Sequence, residues 1–470
     1  MPKVKLPISG DPYQNIDDVA LSDKSVALYD AFLDEAQATN KRFGLSLLKN
    51  LSNPTKGIDG LYWWDKLKKV IAVCGGNVYR IDDASGNYAN ITGDGLIIGG
   101  KPTFAEHDNN LVIANGGKMV YTNGTANTAY VGDVDAPVAV THVAFLDQYL
   151  LANDTTDGDF HFSEVNDISN WSALNFARAE GLSDKINALH VGWEELQLFG
   201  RQSVETWHND GTTPFSRLQG AFIHKGCIAP YSIVAANNTW FWLDNTRRFV
   251  TLEGRTPKII STPFDKIIQG FSTVADCRGD LFEIAGKPLI IWQFPAEGIT
   301  FAYNYATGGW SQYYWWNETF GEYQRFLGQS FCFCPDWGIY LTGAYNDSKI
   351  YEASFDYYTD DGNILRTLRR TGWIDHGNRN RKRSNRLDLK IKRGYGGSST
   401  PYLMIKWRDN GNPYWNNERI ISLGQTGDYE FETSLNRLGS YRTRQWEFVL
   451  SDNAPLVLVD AEETIEVLAR

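Results

Sequence analysis

No apolar run in this 470-residue chain approaches the ~18 residues that a helix needs to cross a bilayer. Stable membrane insertion is therefore not expected. The N-terminus, Met1-Pro-Lys-Val-Lys-Leu-Pro-Ile-Ser-Gly10, lacks the apolar segment that follows the lysines of a secretory signal, which points to folding in the cytosol. Cysteine is scarce and odd in number: Cys74, Cys227, Cys277, Cys332 and Cys334. Cys332 and Cys334 form one Cys-x-Cys pair with no second pair and no nearby His, a poor zinc site. The thiols read as small buried apolar groups in a reducing compartment. Also missing are a Gly-x-Ser-x-Gly elbow, a His-Glu-x-x-His helix, a phosphate loop and a dinucleotide fingerprint. His142, His161, His190, His208 and His224 lack ligand spacing. Glu194 and Glu195 are adjacent, so on a strand they face opposite sides and cannot pair as acid and base. The expectation is no enzyme, no cofactor and no metal.

Aromatic residues and glycine are what the chain has in quantity: 16 Trp, 24 Tyr, 24 Phe and 43 Gly. Together with many Asn-Gly, Asp-Gly and Gly-Gly pairs, this composition favours short strands and tight turns over helices. The class expected is all-β. From about residue 43 one plan recurs: strand, glycine or polar turn, strand. It is seen at Val70–Ile81, Leu111–Tyr121, Tyr149–Phe162, Leu196–Trp207 and Trp240–Leu252, and less regularly at Leu289–Tyr303 and Gly338–Tyr351. A period of roughly 40–50 residues with several strands per unit is the signature of a β-propeller, here of about six to seven blades over residues 43–355. Trp63-Trp64, Trp240-Phe241-Trp242 and Tyr313-Tyr-Trp-Trp316 are expected to fill the wedges between blades. Ser203, Glu205 and His208 look like catalytic ingredients, but on one strand they alternate faces and read as blade structure. The aromatic load also leaves open an alternative, a carbohydrate-binding or carbohydrate-cleaving propeller.

The ends differ from this middle. Residues 1–42 read as an N-terminal arm, in which Lys24 to Ala38 fits a short helix or an extended segment equally well. Residues 356–470 read as a C-terminal β-sandwich-like domain, with Leu387, Leu389 and Ile391 on one strand face and Trp446, Phe448 and Leu450 on another. Its first part is strongly basic. Arg366 to Arg393 holds eight Arg and three Lys against Asp375 and Asp388, a net +9, leaving −20 for the rest of a chain whose formal charge is −11. Arg379, Arg381, Lys382, Arg383 and Arg386 are the candidate basic patch. They serve a subunit interface or, less favoured, hold DNA phosphates without reading sequence.

Two strings narrow the reading. Phe199-Gly-Arg-Gln-Ser-Val-Glu-Thr-Trp207 and Pro214-Phe-Ser-Arg-Leu-Gln-Gly-Ala-Phe-Ile-His-Lys-Gly-Cys-Ile-Ala-Pro-Tyr-Ser232 closely resemble the packaged-DNA-stabilisation, tail hub or nozzle, proteins of short-tailed phages. Pro257-Lys-Ile-Ile-Ser261, Lys349-Ile-Tyr-Glu352, Tyr358-Thr-Asp-Asp-Gly362 and Leu438-Gly-Ser-Tyr-Arg442 are similar to the same family in order and spacing, and the resemblance covers roughly residues 43–465. It departs where relatives often carry a Thr-Pro-Gly-Leu turn and this chain has Asn53-Pro-Thr-Lys-Gly57. The resemblance implies a non-catalytic virion protein, assembled in the host cytoplasm. In it, six copies ring the DNA channel beneath the portal and its head-completion adaptor. It further implies a tail plug or needle, attached receptor-binding spikes or fibres, and double-stranded DNA that passes without sequence-specific contact.

Overall fold

In the computed structural model, residues 2–8, 13, 26–53, 56–179, 181, 184–211, 214–392, 400–424 and 430–468 are described. Pro54 and Thr55 of the departing turn, and Arg393 of the basic segment, lie outside them.

Residues 44–354 form seven four-stranded antiparallel units. Six are built from consecutive strands, beginning at Ile58–Trp64, Thr103–His107, Val143–Leu146, Ile186–Gly192, Val234–Ala236 and Arg278–Ile284. The seventh joins Gly328–Cys334, Ile339–Ala344 and Lys349–Ser354 to Gly44–Asn50, a strand from the start of the chain. The recurring hairpins of the sequence are the second and third strands of these seven blades. Those strands are buried on both faces, as in Lys69–Cys74, where Val70 to Cys74 are all inaccessible to solvent. The tight turn after them needs Gly75 and Gly76, both at positive φ (58° and 81°), where a side chain is strained.

Each pair of adjacent blades shares one apolar core, and the cores close a ring. Cys332, Cys334 and Leu341 of blade seven meet Ile58 and Val70 of blade one. Trp64 and Ile71 then meet Leu111 and Ile113 of blade two. The series continues around to Phe282 and Leu289 of blade six against Phe331 and Tyr351 of blade seven. Alternation on one strand serves both neighbours: Trp240 and Trp242 pack toward blade four, while Phe241 packs toward blade six. Burying a large apolar side chain contributes about 1.5–3 kcal/mol. Trp64, Trp242 and Trp292 are each fully buried in the wedges. Tyr313 joins them and Trp315 packs against the same core, while Tyr314–Trp316 also run on into a hairpin with Glu322–Arg325 beyond the blade.

Two further sheets stand beside the ring and share one core. One face brings Leu387, Leu389 and Ile391 of Lys382–Lys392 together with Leu458 and Ala461 of Val457–Val467. The other brings Leu403, Ile405 and Trp407 of Tyr402–Asp409 together with Trp446, Phe448 and Leu450 of Arg444–Leu450. The described parts of residues 1–42 are woven into these sheets. Lys3–Lys5 and Thr39–Lys41 pair with Val457–Val467. The segment from Lys24 to Ala38 is extended where described, as Ala27–Tyr29 and Ala31–Leu33. Ala27–Tyr29 pairs with blade six on one side and with Thr367–Arg370 on the other, so one sheet runs from the propeller into the second unit.

Candidate assembly surface

The basic segment does not present all its cations to one surface. Arg379, Arg381, Arg383 and Arg386 are exposed. Arg381 donates to the Ser440 hydroxyl at 2.9 and 3.1 Å, Arg383 faces Glu466 at 3.6 Å, and Arg386 pairs with Asp388. Lys382 departs from the expected patch, because its side chain is fully buried. Its ammonium donates to the carbonyls of Asn378, Asn380 and Arg442 at 2.7–2.9 Å, and burial lowers its pKa. Lys382 is an internal clamp on the loop before its strand.

Behind that loop lies a polar knot. Arg444 donates to both Asp409 oxygens (2.7 and 2.9 Å), to the Leu438 carbonyl, and stacks 4.1 Å over the Tyr441 ring. Glu463 accepts from the Tyr441 hydroxyl at 2.9 Å and faces Arg444 at 3.6 Å, with His376 Nε2 3.2 Å away. Arg444, Tyr441 and Glu463 are buried, while Asp409 is partly exposed.

On the outward face of the other sheet, a second cationic surface escaped the sequence reading. Two indoles and two guanidiniums alternate there: Arg408 lies over Trp373 at 5.2 Å and over Trp415 at 4.8 Å, and Arg370 lies over Trp415 at 5.3 Å. Arg370 is held by Glu447, Arg408 by Gln445, and Lys406 by Glu418 at 3.1 Å. Strand register puts Lys406 opposite Glu447 and Met404 opposite Ile420, all pointing away from the core. The contributing residues come from three separated stretches, around 366–373, 402–420 and 445–447, so no local pattern announces the surface.

The bore of the propeller is spanned at one end. Lys101, between blades one and two, donates to the Gly279 carbonyl (2.8 Å) and to Asp280 (3.1 Å) of blade six. Arg278 returns a bond to the Gly99 carbonyl at 3.1 Å. His142 stacks on Tyr231 at 5.0 Å and meets His190 at 5.3 Å. Burial, with Lys101 nearby, holds His190 at about 4, and burial with His190 nearby lowers His142 well below the usual histidine range, so both imidazoles are neutral near pH 7.

The remaining chemically suggestive side chains serve the backbone. Glu205 accepts from the Gly181 amide (2.6 Å) and from the Trp207 indole (3.0 Å), which fixes a blade rather than activating Ser203. Asp154, Asp157 and His161 bring ligand-type atoms within 4.8 Å of one another on the blade-three turn, a grouping missed in the sequence. There Asp154 accepts the Thr156 amide and Asp157 the Asp159 amide, the usual capping of an Asp-rich turn. The five cysteines are free and buried, with Cys332 and Cys334 in the core between blades seven and one.

Comparison with known proteins bears on this architecture. No curated protein matches the chain. Among solved structures, the extracellular domain of a putative one-component system from B. thetaiotaomicron is 10% identical with a TM-score of 0.44. That likeness covers 91% of this chain, which spans only 62% of the other. YCF48 from Cyanidioschyzon merolae is likewise 10% identical, with a TM-score of 0.39 over 65% of this chain and 97% of its own. The family model described as Bacteriophage P22 Gp10, beta-propeller, matches residues 42–357, from Arg42 through the last blade. This chain therefore belongs to that phage stabilisation family and is a phage structural protein.

Proposed function

We propose that the protein is a tail hub, a ring of copies below the portal vertex that continues the DNA channel, helps retain the packaged genome and anchors tail appendages. The observation that carries this reading is the family match over the whole propeller. The bore supports it. Hydrogen bonds from the segment between blades one and two to blade six cross the bore of the single propeller, and the conduit of this reading lies between copies. A net charge of −11, with cations gathered in residues 366–393, suits a channel that repels phosphates and lets DNA slide. The proposed partners are other copies in a six-membered ring, the head-completion adaptor, a plug or needle, and spikes or fibres. Negative-stain images of the purified protein mixed with its adaptor test this. Six-fold rings with a central channel are expected. A monomer that ignores the adaptor and binds oligosaccharide would refute it.

A further inference from the structure

We infer that the outward face carrying Arg370, Arg408, Trp373, Trp415 and Ile420 docks onto the acidic propeller surface of a neighbouring copy, making the head-to-tail contact of the ring. This rests on the ring reading above.

The face is half covered already. The hairpin that extends blade six lays Tyr314 and Tyr323 on Tyr29, and Arg366 sits 4.2 Å over Trp316. Beyond that hairpin the sheet is open, and large apolar groups stand in solvent: Tyr402 is 49% exposed, Ile420 62% and Tyr414 79%. Trp, Tyr and Arg are the residues that anchor protein interfaces. Here they are held in place before any partner arrives, because each guanidinium is stacked on an indole and tied to a neighbour, so little side-chain freedom is left to lose on binding. Among the described residues, Arg419–Ser422 pairs on one side only, at the end of its sheet beside the patch.

Charge selects the occupant. Arg366, Arg370, Lys406 and Arg408 outnumber Glu447 and Glu418 on this face, whereas the propeller, residues 44–354, carries a net −11. Two copies of a cationic face repel each other across a two-fold axis. An unlike, acidic surface of the same chain attracts it, and such a heterologous contact closes into a ring when the rotation per subunit is right. Duplex DNA fits less well. Arg370 and Arg408 are committed to Glu447 and Gln445 and show no free fork to a phosphate.

The test is assembly of the full-length protein with and without its adaptor, followed by mass photometry at low and high salt, for Arg408→Glu, Ile420→Glu and the opposite-sheet control Arg383→Glu. Wild type and the control should assemble alike, with wild-type rings weakening in salt, while both face variants should need at least tenfold more protein. If Arg408→Glu loses its near-UV circular dichroism, Ile420→Glu, an exposed edge position, carries the test. Face variants that assemble like wild type overturn the inference and leave the ring reading standing, as do variants that assemble normally but lose duplex binding. A control as impaired as the face variants also overturns it. A wild type that never forms rings removes the ring reading itself.

Discussion

Arg42 is the residue whose loss should do most damage. Its side chain is fully buried, and all five of its N–H donors are used. Nε donates to Asp30 at 2.7 Å, the two terminal nitrogens donate to Asp360 at 3.0 and 2.6 Å, and the carbonyls of Phe43 and Tyr314 accept at 2.7 and 3.0 Å. The guanidinium also lies 4.7 Å over the Phe326 ring. Arg42→Met keeps the apolar stem but strands two carboxylates and two carbonyls in the interior. Removing one partner of a buried ion pair costs about 3–5 kcal/mol, and the expected loss falls in that range. It should be local, because these partners hold the closing strand Gly44–Asn50 and the strand Ala27–Tyr29 against the propeller. Hydrogen exchange of amides 44–50, read as a local opening free energy, is the assay. The triple variant Asp30→Asn/Arg42→Met/Asp360→Asn, which removes the stranded charge, should recover at least half the loss. A loss below about 1 kcal/mol, the scale of a solvent-screened pair, would refute the assignment of this triad as the joint between ring and sheets.

Three other outcomes follow from burial and contact. Burial pushes the Asp30 carboxyl up to about 7 against the pull of Arg42, and pushes Lys41 down to about 7. Asp30 then holds a proton in the native state that the unfolded chain releases near pH 4, so its contribution is lost as pH rises from about 4 to about 7. Lys41 binds its proton more weakly when folded, so its contribution grows from about 7 toward 10. Urea unfolding across pH should show a minimum near 7 from this pair, and Asp30→Asn, which keeps the Oδ1 acceptor, should flatten the acid side. Lys382→Met should lower thermal stability by about 1–3 kcal/mol, because three carbonyls lose their donor, whereas Arg381→Ala and Arg383→Ala should change it by less than about 0.5 kcal/mol. A Cβ at Gly226 would sit 2.1–2.2 Å from the Arg201 and Gln202 backbone, while the Gly226 carbonyl accepts the Trp242 indole. Gly226→Ala should therefore cost about 3 kcal/mol, measurable as a shift in the urea midpoint.

Those positions also show where sequence and structure part. The seven hairpins were legible because each joins two short, largely apolar strands across a polar or glycine-bearing turn. The outer strands were not: Tyr88–Asn90 and Ala129–Tyr130 are too short to show a period. Lys382 misled for a sharper reason. Leu387, Leu389 and Ile391 point inward, and strict alternation carried back along the strand would turn Arg383 inward and Lys382 out. A register shift between Ser384 and Arg386 inverts that parity, so Lys382 enters the interior and Arg383 faces water.

The closing strand was hidden because its partner comes some 300 residues later in the chain, and that distance is its mechanical point. Blades one to six are each held by turns between consecutive strands. Blade seven takes its fourth strand without a connecting turn, by pairing through the register from Lys349↔Asn50 to Ser354↔Gly44. Opening the ring between blades seven and one requires this strand to let go. Arg42, two residues before it, ties its start to blade six through Tyr314 and to Asp360, whose strand extends blade seven by pairing with Leu45, while Asp30 accepts from Thr367 of the second unit through its carbonyl. An outward load on the propeller would therefore meet the buried triad before it could peel the strand. A buried, fully hydrogen-bonded arginine thus sits where the fold has no covalent turn to rely on.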